Sequence, residues 1–230
     1  MIAPRRIQLQ IRRSFAVLFL VVLAVGSGCA SLRLHDPVAG LSYTPQNVYR
    51  PLDQLPVHVR RVAVLPMTLT SRSSELEAGC DLLTPVVLEE LGRTRKFEVV
   101  PVTPEQLRHL TGRRTWSAEG SLPPDFLKVL RDELDCDAVL FGRLTQFRAY
   151  PPLAVGLSFK LVEVDKAEFV WAVDEVFDAN QAGVVTGARR FQQSREQLPA
   201  VLADSRSILN SPSHFGRYVA SSVFHTLPAR

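Results

Sequence analysis

The chain has 230 residues, 46% of them hydrophobic, with 27 Lys and Arg against 23 Asp and Glu, so its formal charge is +4. Four of the basic residues, Arg5, Arg6, Arg12 and Arg13, and none of the acidic ones lie in the first 28 positions, which leaves 23 of each sign in the remainder. The basic pI near 9.2 therefore belongs to the N-terminal segment, and no nucleic-acid partner is expected for the rest.

Behind those arginines an uncharged apolar stretch runs from Phe15 to Val25, followed by small residues. It is shorter than the roughly 20 apolar residues of a spanning helix, and basic start, apolar middle and small-residue exit make a signal-peptide profile. Val25-Gly26-Ser27-Gly28-Cys29 resembles the bacterial lipobox, with Gly26 where leucine is usual. That resemblance implies cleavage ahead of Cys29, whose thiol forms a thioether to diacylglycerol while an acyl chain is added at the new N-terminus. The alternative is a secreted chain with an incidental cysteine. With about 0.8 kcal/mol per buried methylene and more than one chain, a lipidated Cys29 anchors the protein to a bilayer without crossing it. Ala30 rather than aspartate follows, which by the enterobacterial sorting pattern implies the periplasmic face of the outer membrane.

The expected organisation is a leader over residues 1–28, a tether over 29–58 and a single α/β domain over 59–230. Pro37, Pro45, Pro51 and Pro56 favour an extended tether. The stretch YTPQNVYRPLDQLP also carries enough Tyr and Leu to dock as an ordered arm, and both alternatives stand. Order then begins with a buried strand at Arg60–Met67. A helix follows from Ser73 or Ser74 to Gly92, where Pro85 marks either a kink or the first turn of a shorter helix. Next come a strand at Phe97–Pro101, a helix from Pro104 to Leu110, a loop over Arg113–Leu122, a helix over Asp125–Leu134 and a strand over Ala138–Leu144. This alternation argues for a parallel start to the sheet.

Val155–Val164 and Phe169–Phe177 then read as a hairpin, with Leu157, Phe159, Leu161 and Val164 facing Val170, Ala172 and Val176. The chain beyond Asp178 is polar and helical and ends in an amphipathic helix over Ser213–Leu227 that offers Phe215, Val219, Val223 and Leu227 to the sheet. The fold class is α/β, a mixed sheet with helices packed against it.

The succession RRVAVLPM, FEVVP, DAVLFGRLTQF and VGLSFKLVEVDKAEFVWAVDEVF resembles the periplasmic α/β domain of the curli-secretion lipoprotein (CsgG) and of the penicillin-binding-protein activator lipoproteins (LpoB-like), a domain similar to the N-terminal domain of TolB. The resemblance spans about Arg60 to Leu227. It implies a non-enzymatic, protein-binding envelope module whose partner is a peptidoglycan synthase, a secretion component or further copies of itself. An oligomeric assembly or export component of the CsgG kind is the alternative. Against a pore of its own stands the short connection from Arg148 to Ala154, since a membrane hairpin needs two strands of about 9 to 11 residues each.

Catalytic and metal chemistry is not expected. His35, His58, His109, His214 and His225 make no ligand spacing. Cys80 and Cys136 have no CxxC companion and read as buried thiols, with a disulfide as the alternative. Neither GxSxG nor SxxK occurs outside the leader. Asp132, Glu133, Asp135 and Asp137 read as a helix end and turn into the next strand. Candidates for partner contact are Trp116, Arg189, Arg190 and Phe191, because aromatic and arginine anchors dominate interfaces; Trp116 alternatively pins its loop to the core.

Overall fold

The computed structural model describes residues 40–196 and 208–230; the expected leader, Cys29 and the first part of the expected tether lie outside the described residues. The domain is a seven-stranded mixed sheet with five helices packed against it, in the spatial order β1-β7-β6-β5-β2-β4 with β3 beside β5. The strands are β1 (Val48–Tyr49), β2 (Arg61–Val64), β3 (Thr68–Leu69), β4 (Glu98–Pro101), β5 (Ala138–Arg148), β6 (Ala154–Glu163) and β7 (Phe169–Asp178). The helices are α1 (Ser74–Arg93), α2 (Pro104–Thr111), α3 (Phe126–Leu134), α4 (Ala182–Glu196) and α5 (Pro212–Phe224).

The parallel part is β2 between β4 and β5, with Ala63 opposite Val100 and Val139. Pro66 cannot donate to a ladder, and the single strand expected over Arg60–Met67 ends at Val64, the chain resuming at Thr68 alongside Arg143 of β5. Helix α1 is capped by Ser73, whose hydroxyl accepts from the Leu76 amide at 3.2 Å, and it continues through Pro85. The shorter-helix alternative is thus corrected: burial of Leu83, Val86, Val87 and Leu91 offsets the one rung that proline removes.

Alternation along the strands divides the interior into two cores. The larger places Leu140, Leu157, Phe159, Trp171 and Phe177 against α1, α4 and α5, including Phe215, Val219 and Val223. The smaller places Ala63, Val139, Phe141 and Val162 against Leu107 of α2 and Phe126 and Leu130 of α3. The hairpin pairs Leu161 with Trp171 and Phe159 with Val173, so Ala172 and Val176 point away from the larger core. This corrects the expected facing, because a shift of one residue exchanges the two sides of a strand.

One buried ion network ties the helices above the larger core. Glu90 of α1 is 2% exposed and takes Arg195 of α4 bidentately, Nη1 at 3.0 Å and Nη2 at 2.9 Å. Arg93 reaches Glu90 at 3.1 Å, and Arg217 of α5 reaches Glu89 at 2.6 Å. Burial pushes the Glu90 carboxyl upward from its ordinary value, with Arg93 and Arg217 acting against that rise.

Residues 40–58, within the expected tether, run along the domain as the docked-arm alternative describes. Strand β1 pairs antiparallel with β7, Val48 opposite Val173, and Leu55 is buried in the larger core. Glu175 of β7 accepts from the Tyr43 hydroxyl at 2.5 Å and from the Gln46 and Asn47 amides at 2.8 and 3.1 Å. The Tyr43 amide donates to the Gly183 carbonyl at 2.9 Å.

Candidate interaction surface

The side of β5, β6 and β7 that carries the smaller core is covered only in part. No member of that core lies on β5 beyond Phe141 or on β7 at all. From Phe141 onward the sheet runs in cross-strand rows read from the register: Phe141, Lys160, Ala172 and Tyr49; then Arg143, Ser158 and Asp174; and lastly Arg148, Ala154 and Asp178.

The central strand supplies small residues here, Ala154, Gly156 and Ser158, while its neighbours carry long charged ones. Arg148 bridges to Asp178 at 2.8 Å across Ala154, which is fully buried, and Arg143 approaches Asp174 at 3.8 Å across Ser158. Gly156 lies between these bridges beside a slip in register at Leu144 and Gln146, and a Cβ on it would stand 2.4 Å from Thr145 Oγ1. A β-bulge re-aims the side chain of the inserted residue, here Thr145, and glycine gives it room.

The third participant comes from the loop between α2 and α3. Glu119 accepts from Lys160 Nζ at 2.6 Å through Oε1, and from Arg143 Nη1 at 2.9 Å and the Ser117 hydroxyl at 2.6 Å through Oε2. Burial works against this charge, but hydrogen bonds from Lys160 and Ser117 and the charges of Arg143 and Lys160 outweigh it and hold the carboxyl below its ordinary range. A shallow, solvent-open depression lies among Thr68, Ser117, Glu119, Arg143, Ser158 and Lys160. Two exposed aromatic rings belong to the same side, Tyr49 at 55% and Phe169 at 45%, and Lys160 Nζ sits 5.9 Å from the Phe169 ring centre.

The residues nominated from sequence stand elsewhere. Trp116 is 7% exposed, its indole N–H donates to Thr111 Oγ1 at 2.7 Å, and its ring packs 5.1 Å from Phe126 beneath the Arg113 guanidinium. It pins its loop to the core and is not an exposed anchor. Arg189, Arg190 and Phe191 lie on α4, across the sheet from the charged rows. Arg189 and Arg190 are both exposed, and Arg190 donates to Ser42 Oγ at 2.9 Å and the Gly40 carbonyl at 2.8 Å. Phe191 packs on Tyr218 with ring centres 5.8 Å apart and carries Arg195 over its face. Much of that patch therefore serves the domain's own packing. Cys29 lies outside the described residues.

Cys80 and Cys136 are free thiols on opposite sides of the sheet, one packed against the larger core and one within the smaller. Burial raises the Cys80 thiol and pushes that of Cys136 up to about 11. Asp135 forms the left-handed C-cap of α3, and Asp137 accepts from the Arg60 and Arg61 amides at 2.8 and 2.9 Å, the turn role expected of them. His58 pairs with the buried Glu163 at 2.9 Å. Among the described residues no group of three or more His, Cys, Asp or Glu is placed to hold a metal, and no helix is long and apolar enough to cross a membrane.

Sequence reasoning missed the surface because its members are far apart in the chain: 24 residues separate Glu119 from Arg143 and 41 separate it from Lys160. Tyr49 lay in the expected tether. Only the mixed polar and apolar register of β5 to β7 carried a usable signal.

No protein-family model matches the chain, and no curated protein does either. Among solved structures it is similar to the PelC dodecamer from Paraburkholderia phytofirmans, at 12% identity and TM-score 0.42 over 80% of this chain and 100% of that one. It is also similar to lipoprotein GNA1162 from Neisseria meningitidis, at 19% identity and TM-score 0.40 over 60% and 99% of the two chains. The LpoB C-terminal domain from Salmonella enterica is 18% identical with TM-score 0.33, over 51% of this chain and 82% of that one.

Proposed function

We propose that this chain is a lipid-anchored, non-enzymatic protein-binding module at the periplasmic face of the outer membrane, acting in cell-envelope assembly in the manner of the penicillin-binding-protein activators. The observation that carries the reading is the part of the sheet over β5 to β7 beyond the smaller core, where charged side chains are already held by their own partners beside two exposed aromatic rings. Pre-ordered side chains lose little freedom on association, which lowers one of the main costs of binding. The lipid on Cys29 supplies location. From Cys29 to Gly40 the chain spans at most about 40 Å, so the domain is confined near the membrane and its effective concentration toward a partner there is raised.

The test places a photo-crosslinking amino acid at Tyr49, at Phe169 and, as a control on the other side of the sheet, at Arg189, in the lipidated protein within its native envelope. Adducts with an envelope protein at Tyr49 and Phe169, absent at Arg189 and lost in Cys29→Ser, are the expected result. Adducts at Arg189 alone, or none at Tyr49 and Phe169, overturn it. Adducts of twice the chain's mass at those positions replace it with the oligomeric reading.

A further inference from the structure

We propose that Arg143 and Lys160 form a carboxylate subsite, filled in the unbound protein by the chain's own Glu119 and taken over on binding by an acidic side chain of the partner protein. The inference rests on the reading that this part of the sheet binds protein, and it adds the chemistry of the contact.

The two cations belong to the rigid centre of the sheet, Arg143 on β5 and Lys160 on β6, while the carboxylate they hold rides on a loop. Removal of Glu119 from its place leaves the loop attached, because Trp116 is fixed separately by Thr111 and Phe126. The hold on Glu119 is local and releasable: Ser117 Oγ both donates to its carboxylate and receives its backbone N–H at 3.3 Å, a turn closed by the Gly120 amide on the Ser117 carbonyl.

Arg143 has donor capacity to spare. Its Nε is buried without a hydrogen-bond partner, and its second terminal nitrogen has only the distant Asp174 carboxylate at 3.8 Å. A guanidinium offers five N–H donors and binds carboxylate best with two in parallel, so an incoming acid on this group improves on the single bond that Glu119 makes. Exchange of one carboxylate for another also leaves neither cation unpaired, which avoids the penalty of a stranded, partly buried charge.

The surroundings favour a side chain of a protein over a free acid or a glycan. The depression is shallow, and the room for an incoming acid is the place that Glu119 vacates. Tyr49 and Phe169 beside it offer apolar area to the residues that flank such an acid.

The experiment titrates the lipidated mature chain in detergent micelles with a hexaglutamate peptide, following fluorescence anisotropy of a dye on the peptide. If Glu119 fills the subsite nine-tenths of the time, its removal in Glu119→Gln tightens binding about tenfold. Ser117→Ala, which only loosens Glu119, tightens it less and in the same direction, so the reasoning does not depend on one variant. Adding Lys160→Gln to Glu119→Gln abolishes saturable binding, and hexalysine does not bind any form. Equal affinity of wild type, Glu119→Gln and Ser117→Ala overturns the proposal, as does binding that Lys160→Gln leaves intact. Saturable binding of a disaccharide-tetrapeptide muropeptide in place of hexaglutamate overturns the protein origin of the acid. Failure of hexaglutamate in every form, together with partner adducts at Tyr49 and Phe169, removes the subsite and leaves the binding surface standing.

Discussion

Glu175→Ala should release the arm, residues 40–49, that leads into the domain. The carboxylate accepts three hydrogen bonds from that arm, from Tyr43 Oη and from the amides of Gln46 and Asn47. Bonds to a charged group contribute about 1.5–3 kcal/mol each when one partner is removed. This site is partly open to water and the released amides are rehydrated, so about 2 kcal/mol is expected for the set, a shift of roughly thirtyfold in arm opening. Hydrogen exchange reads it at two amides that keep their own acceptors in the variant, Tyr43 to the Gly183 carbonyl and Asp174 to the Asn47 carbonyl. Both should exchange about thirtyfold faster without a matching loss of global stability. The ten residues freed from Gly40 to Tyr49 would add up to about 36 Å of reach. Burial opposes the charge on Glu175, but the bonds from Tyr43, Gln46 and Asn47 prevail and its pKa is lowered. Docking is therefore complete above the ordinary glutamate value of about 4.3 and weakens as pH falls through the lowered one. If Gln46 and Asn47 alone exchange faster while Tyr43 and Asp174 match wild type, the arm is held by other contacts and the reasoning is refuted.

Glu90→Ala leaves Arg93, Arg195 and Arg217 without their shared buried carboxylate and should cost about 3–5 kcal/mol in urea denaturation, with Glu90→Gln costing less. Gly216→Ala drives a Cβ to within 2.2 Å of Leu83 Cδ2, where α5 crosses α1. It should destabilise by about 1–3 kcal/mol; combined with Leu83→Ala, the total loss should be smaller than the sum of the two single losses. A thiol reagent at pH 8 should modify Cys80 before Cys136 in the native protein, and Cys136 only at the rate of unfolding, which mass spectrometry of the labelled peptides measures. Native Cys80–Cys136 disulfide in material exported to an oxidising compartment would contradict their placement on opposite sides of the sheet.

Much of the fold was legible along the chain because its signals are local. The strand Arg61–Val64, the helix start at Ser73 and the pattern Phe215, Val219, Val223 each depend on neighbours within a turn or two. Pro85 misled in the other direction: its local cost was visible, while the burial that offsets it comes from residues of the sheet and of α5 packed against α1 in the larger core. The facing of Ala172 and Val176 also escaped, since a strand's alternation shows that it has two sides without saying which is buried once both carry apolar residues.

The sequence by itself determined the α/β class, the chain order of its main elements and the neutral charge balance behind a basic N-terminal segment, because these follow from composition and short-range periodicity. Only the tertiary structure decided that Gly40 to His58 lies along the domain, that Trp116 turns inward, and that Glu119, Arg143, Lys160 and Tyr49 share one part of the sheet. Those relations depend on strand register and on charges meeting across tens of residues of chain, and sequence spacing carries no term for either.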